Sequence, residues 1–269
     1  MPRGSSVPKL SLRFISLGYL LLILVGPLIM MVWRTFGDLG GAWSAISDHD
    51  TLLAFKLTII VTAIVVPINT IFGIVCALVI VRGKFRGKGL LNAFVDLPLS
   101  LSPVIVGFSL VLLYGLHGWL GGLHNHGVVI LFALPAIILA TIFVSIPFVA
   151  REVVPVLREI GIEQEQAAHT LGASGWQTFW RITLPAIRWA VIYGVVLTAA
   201  RSLGEFGAVV VVSGNIDGKT QTATLRVDDA YQFAYGNYAP AYGISLVLAA
   251  MAVLILAAMM IIQPKGTRA

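Results

Sequence analysis

Apolar residues gather along this chain in six long stretches separated by shorter polar ones. The stretches cover 12–33, 56–81, 93–115, 128–150, 186–212 and 241–262. Each reaches the ~20 residues that a helix needs to cross the hydrocarbon core of a bilayer. The pattern predicts an all-α polytopic membrane protein with six transmembrane helices in one membrane domain over 1–269. The third stretch is the least regular, because Pro98 and Pro103 fall near its start. Such breaks are tolerated where neighbouring helices re-satisfy the freed carbonyls. The first stretch follows Arg3, Lys9 and Arg13, as the core of a signal peptide would. It is long enough to span and no small-residue cleavage site follows it, so it reads as a retained helix.

Composition agrees with the pattern. Hydrophobic residues make up 58% of the chain and charged residues 11%, and the mean hydropathy is +0.93. A soluble domain carries about 25% charged residues, so a soluble fold is excluded first. The net charge of +6 raises nucleic acid as a partner. The basic residues sit at the ends of the apolar stretches, so the expected partner is membrane lipid and no nucleic acid. Cys76 is the single cysteine, which leaves no internal disulfide and no metal site with more than one thiolate.

Charge also orients the spans. With the N-terminus in the cytoplasm, thirteen basic residues face inward: Arg3, Lys9, Arg13, Arg82, Lys84, Arg86, Lys88, Arg151, Arg158, Arg181, Arg188, Lys265 and Arg268. Arg34, Lys56, Lys219 and Arg226 face outward. The excess predicts both termini on the cytoplasmic side of the cytoplasmic (inner) membrane. The connection 151–185, between the fourth and fifth stretches, is polar, mixed in charge and partly helical in pattern. It holds most of the inner soluble surface, so it is where a cytoplasmic partner would dock.

That connection contains Glu165-Gln166-Ala167-Ala168-His169-Thr170-Leu171-Gly172, then nine residues, then Ile182-Thr183-Leu184-Pro185. Two small helix-forming alanines let a partner surface approach closely. Gly172 can take positive φ and end a short helix, and Pro185 suits a first helical turn. The register resembles the EAA signature of binding-protein-dependent ABC importer permeases, in which this segment is the coupling helix seated on an ATPase subunit. Gln166 stands where the signature has Glu. Glu165 is its neighbour and points elsewhere on a helix. A neutral hydrogen bond would then replace the salt bridge expected from that position.

The resemblance extends over nearly the whole chain to the W-type permeases of sulfate/thiosulfate importers. It is carried by Trp33-Arg34-Thr35-Phe36, Pro67-Ile68-Asn69-Thr70, Pro147-Phe148-Val149-Ala150-Arg151-Glu152 and Ala200-Arg201-Ser202-Leu203-Gly204-Glu205-Phe206-Gly207-Ala208. The run Val212-Ser213-Gly214-Asn215-Ile216-Asp217-Gly218-Lys219-Thr220 belongs with them. Molybdate/tungstate permeases share the Gly204–Ala208 block, so that block indicates a tetrahedral oxyanion without separating the two. The N-terminal third and Ser213-Gly214 favour sulfate. The resemblance implies the type I ABC importer fold and a translocation path shared with a second, related permease subunit. It also implies two ATP-binding subunits beneath and a periplasmic or lipid-anchored binding protein outside. Glu165, Gln166, Ala167, Ala168, Gly172, Ile182, Leu184 and Pro185 are the expected ATPase-coupling residues. Arg201, Gly204, Glu205, Gly207, Ser213 and Gly214 are the expected path or gate residues.

Arg201 and Glu205 lie four residues apart in the fifth stretch and can pair on one helix. An intramembrane charge must face protein or water. The pair reads either as a structural tie or as part of the anion path. Gly214 to Lys219 mimics a phosphate-binding loop, with three residues between its glycines instead of four. The chain is therefore expected to bind no cofactor itself and to be no enzyme, with ATP and Mg held by its partners. Gly172-Ala173-Ser174-Gly175 also fits the nucleophile pattern of a six-span intramembrane hydrolase, yet no histidine follows His169 to serve as its base. His117, His124 and His126 share an outer loop rich in glycine, which reads as a solvated loop more than as a metal site.

Overall fold

The computed structural model describes residues 7–262, with side chains except at 7–10, 24, 124, 125 and 260–262. Arg3, Lys265, Arg268 and both termini lie outside the described residues, as do the side chains of Lys9 and His124. Helix α1 (Val7–Leu20) passes through a π turn at Leu21–Val25 into α2 (Gly26–Gly37). The Asp38 carboxylate accepts the Gly41 amide and starts α3 (Leu39–Ser47). Asp48 caps α4 (His49–Arg82) in the same way through the Thr51 amide. Next come α5 (Lys88–Ser100), α6 (Pro103–Tyr114), α7 (Gly122–Asn125), α8 (Leu134–Ser145), α9 (Pro147–Glu159), α10 (Glu163–Thr170) and α11 (Gly175–Thr178). A second π turn, Phe179–Thr183, leads into α12 (Leu184–Leu203), followed by α13 (Val209–Val212), α14 (Ala223–Gln232) and α15 (Ala239–Ile262). Among the described residues there is no strand.

Five helical stretches are long and apolar enough to span: Ser11–Gly37, His49–Arg82, Leu134–Glu159, Gly175–Leu203 and Ala239–Met259. The sixth is the pair α5 and α6, bent by 109°. The third expected span is thus broken. Leu101 and Ser102 are extended, with ψ of 139° and 135°, because the ring of Pro103 disfavours helical geometry at the residue before it.

Two other expected boundaries shift. The fourth span begins at Leu134 rather than 128 and runs on to Glu159. Segment 128–133 is apolar without being helical, and Phe132 has a φ of 57°. The fifth span starts at Gly175 and its helix stops at Leu203, so 204–212 is not part of it. The connection 151–185 contracts accordingly to the stretch around α10.

The centre of the bundle is α9 between α4 and α12. Ala77, Val149, Val153, Leu157, Ile187 and Ala190 form its buried core. Gly73 of α4 and Gly194 of α12 both press on Val149. A Cβ on Gly73 would lie 2.6 Å from the Val149 Cβ, and one on Gly194 would lie 2.7 Å from its Cα. Small residues let helices approach this closely where lipid offers no hydrophobic drive for association. Asn69, fully buried, donates from Nδ2 to the Ser145 Oγ at 2.8 Å and to the Ile142 carbonyl at 3.2 Å, linking spans two and four. A second core, Val106, Ala136, Ala140, Val144, Ala208 and Val212, joins α6, α8 and α13. The first span lies at the rim and turns side chains such as Leu22 and Trp33 outward.

Candidate functional site

The connection after α9 follows from an amphipathic helix running out of apolar partners. Val149, Val153 and Leu157 are buried on one face of α9, while Arg151, Arg158 and Glu159 are exposed. Gly161, at φ +66°, turns the chain, and a Cβ there would meet the Glu163 carboxylate at 2.1 Å. The short helix α10 then ends in a Schellman motif. The Gly172 amide donates to the His169 carbonyl and the Ala173 amide to the Ala168 carbonyl, each at 3.0 Å. Gly172 has the φ of +82° that this geometry demands. Ser174 and Gln177 form a reciprocal capping box that starts α11.

Pro185 sits in the first turn of α12, in a helical path that is continuous from Gly175. Proline has no amide to give to the preceding turn, and its ring crowds the carbonyl four residues back. The π turn over Phe179–Thr183 absorbs this, with the Leu184 amide reaching the Phe179 carbonyl. Leu184 packs against the core built on Val149 and Ile187. Ile182 is half-buried and Pro185 exposed.

Of the expected coupling residues on α10, Ala168 is buried against the body, while Gln166, Ala167 and Gly172 are exposed. Leu171, 88% exposed, and Trp176, 71% exposed, extend that accessible surface. Trp176 also packs edge-on to Trp180 at 5.5 Å. Glu165 differs from Gln166. It turns inward onto Arg82, the last residue of α4, at 3.0 Å, and Thr183 Oγ1 donates to it at 2.9 Å. Glu165 thus makes a salt bridge inside this chain, while Gln166 stays exposed.

The second constellation surrounds the end of α12. Glu205 lies beyond the helix and is 3% exposed. One of its carboxylate oxygens faces Arg201 Nη1 at 2.7 Å, and the other accepts the Ala208 amide at 2.8 Å. Its backbone carbonyl accepts Thr224 Oγ1 at 2.8 Å. Gly204 follows the last helical residue, and Gly207 packs on Pro103, which a Cβ would meet at 3.0 Å. Ser213 is buried and accepts the Asn215 amide at 3.1 Å. Gly214, at φ +72°, lies under the Phe132 ring. These six residues lie along one segment, from Arg201 in the last turn of α12, past the break after Leu203 and through α13, to Gly214.

Ser174, the nucleophile of the hydrolase reading, is a helix cap, its Oγ accepting the Gln177 amide at 3.3 Å. His169 Nδ1 lies 3.1 Å from the Ala173 carbonyl. Among the described residues no three His, Cys, Asp or Glu side chains cluster as metal ligands would.

Sequence reasoning missed three contributors. Arg82 entered only as a topological charge, and Thr183 only as the variable position between Ile182 and Leu184. Asp229 holds the loop 213–222 together. It accepts Asn215 Nδ2 at 3.0 Å on both oxygens and Gln221 Nε2 at 2.6 Å. Gln221, buried to 1% exposure, needs such a partner, and nothing in the sequence marks it as buried.

The chain belongs to the family of binding-protein-dependent transport system inner membrane components, which matches residues 69–265. It is thus a multi-pass membrane transport component. It is 52% identical over 231 residues to the sulfate transport system permease protein CysW of Synechococcus elongatus, covering 85% of this chain and 81% of that one. The CysW protein of Synechocystis sp. is 47% identical over 252 residues, 92% of this chain and 90% of that one. In three dimensions the chain is similar to a bacterial alginate ABC transporter crystallised with an alginate pentasaccharide-bound periplasmic protein. The TM-score is 0.81 at 17% identity, over 97% of this chain and 95% of that one. The fold is that of an ABC importer permease.

Proposed function

We propose that this chain is one of two related membrane subunits through which an ATP-driven importer moves sulfate across the cytoplasmic membrane. The observation that carries the transport reading is α10. It is a short helix held against the base of the bundle by Glu165, presenting Gln166, Ala167 and the side chain of Leu171 to solvent. A surface so placed, in a member of this family, suits an ATPase subunit. The substrate follows from the relatives, whose names specify sulfate over most of the length of both chains. Thiosulfate, another tetrahedral dianion, is the natural competitor.

In this reading the ATP-binding subunits hold ATP and Mg, and this chain has no ATPase site of its own. Both termini face the cytoplasm, as the basic-residue bias favours. A binding protein delivers the anion from outside. Closure of the ATPase pair draws the two coupling helices together and opens the spans outward.

The test is uptake of labelled sulfate with and without this gene, in a strain without another sulfate importer, with unlabelled thiosulfate and molybdate as competitors. Uptake should disappear on deletion, and thiosulfate should compete where molybdate does not. Unchanged uptake on deletion would overturn the proposal, and strong competition by molybdate would overturn selectivity for sulfate.

A further inference from the structure

The connection around α10 contains two non-helical joints, 160–162 before it and 171–174 after it. A helix attached only through such joints would pivot when pushed, and a partner's motion would be lost there. One cluster of side chains bridges both joints. Arg82 ends α4, the helix of span two. Its Nη2 donates to the Gly161 carbonyl at 2.6 Å and to Glu165 Oε1 at 3.2 Å. Its Nε lies 3.0 Å from Glu165 Oε2. The same Glu165 Oε1 accepts Thr183 Oγ1 at 2.9 Å. The Arg82 and Glu165 side chains are only 20% and 18% exposed, and Thr183 is buried.

The chemistry suits a rigid joint. The Nη2 group of one guanidinium bonds both the Gly161 carbonyl and the Glu165 carboxylate, so the planar group is tied at two points, which a compact ammonium matches less well. Arg82 also sits where a cation is favoured, at the carboxyl end of its helix. The Gly161 carbonyl comes within reach because that residue is in the left-handed region, which glycine adopts without steric cost. Three elements therefore meet at one carboxylate: the end of span two, the short helix, and the entry to span five.

We propose that Arg82 and Glu165 are positioning residues for energy coupling. They make α10 and span two move as one body, so that displacement of α10 reaches spans two and five instead of being absorbed at 160–162. The inference rests on the function proposed above and adds which span receives the motion first.

The test uses the full complex in proteoliposomes with its binding protein, measuring sulfate taken up and ATP hydrolysed in the same vesicles. A residue that only stabilised the fold would lower the amount of assembled complex and leave the ratio of sulfate to ATP unchanged. Glu165→Gln and Arg82→Gln should each lower that ratio about tenfold, in keeping with loss of a charge-assisted hydrogen bond. Arg82→Lys should give an intermediate ratio, and the exchanged pair Arg82→Glu with Glu165→Arg should recover part of it. A wild-type ratio in assembled Glu165→Gln complex would overturn the joint while leaving the transport function standing. If that variant does not assemble, Arg82→Lys decides in the same way. Wild-type vesicles that hydrolyse ATP and take up no sulfate would overturn the transport reading itself, and the joint with it.

Discussion

Glu205 and Arg201 face each other at 2.7 Å across the end of α12, one beyond the last helical residue and one within the final turn. They are four residues apart without being a rung on one helix. Their exposures are unequal: the Arg201 side chain is 31% exposed and that of Glu205 2%. Removing the arginine strands a buried carboxylate, whereas removing the carboxylate leaves a cation that can reach solvent. Arg201→Gln should therefore destabilise the chain by about 3 kcal/mol or more, and Glu205→Gln by less. The double variant should regain most of the loss. Thermal unfolding in detergent checks the order. Uptake should return with stability in the double variant, as a structural tie requires. Uptake that stays low in a stable double variant would place Arg201 in the anion path instead.

Crowding on Val149 yields a second expectation. Gly73→Ala and Gly194→Ala each push a methyl group into atoms less than 3 Å away. Each should cost about 1–3 kcal/mol. Gly89→Ala, on α5 with nothing within 4 Å, serves as the control and should leave the melting temperature unchanged or slightly raised. Equal melting temperatures for all three would contradict the tight packing of α4, α9 and α12.

Across the bundle, Asn69→Ala removes both donor contacts to Ile142 and Ser145. Polar contacts between membrane helices average about 0.6 kcal/mol and reach about 1.7 kcal/mol. A change near the upper figure is expected, since Asn69 is fully buried and has two partners. A double-mutant cycle with Ser145→Ala would separate the side-chain bond from the one to the carbonyl.

The loop 213–222 depends on Asp229, which gathers Asn215 and Gln221. Asp229→Asn exchanges one acceptor oxygen for a donor and leaves one of those amides unmatched. The expected cost is roughly 1–3 kcal/mol. Limited proteolysis between Ser213 and Thr222 should become faster while the membrane core melts unchanged. Identical cleavage rates would show that the loop holds without its carboxylate.

At the opposite end, Leu171→Glu should leave the chain folded, because Leu171 is 88% exposed and caps nothing with its side chain. On the function proposed above, it should weaken capture of the ATP-binding subunit about tenfold or more, because it would bury an unpaired carboxylate at the contact. Undiminished capture would place the docking surface elsewhere.

Much of the fold was legible in the spacing of apolar residues, and its errors share one cause. Apolar continuity reports compatibility with lipid, not continuity of a helix. Segment 204–212 is as apolar as a span, yet its backbone leaves the helix after Leu203. Segment 128–133 is apolar and non-helical. Conversely, Arg151 to Glu159 looked like loop because its polar face is rich in charge, while its other face packs on α4 and α12. At the site, local chemistry read correctly: Gly172 takes the left-handed turn that its place after α10 requires. Partners distant in sequence did not. Arg82 and Glu165 are separated by 83 residues, and no periodicity connects them. Glu165 looked like the spare neighbour of a substituted signature position, and it is the anchored one.

The bend between α5 and α6 carries a consequence for hydration. Ser102 is exposed at that corner, and the corner abuts the other interrupted segment through Gly207 on Pro103 and Gly107 on Ala208. Two backbones thus leave the helical hydrogen-bond ladder side by side. Hydrocarbon cannot satisfy the freed amides and carbonyls, so irregular backbone at membrane depth must be covered by protein or wetted. The paired corners therefore mark a face of the chain that lipid cannot cover.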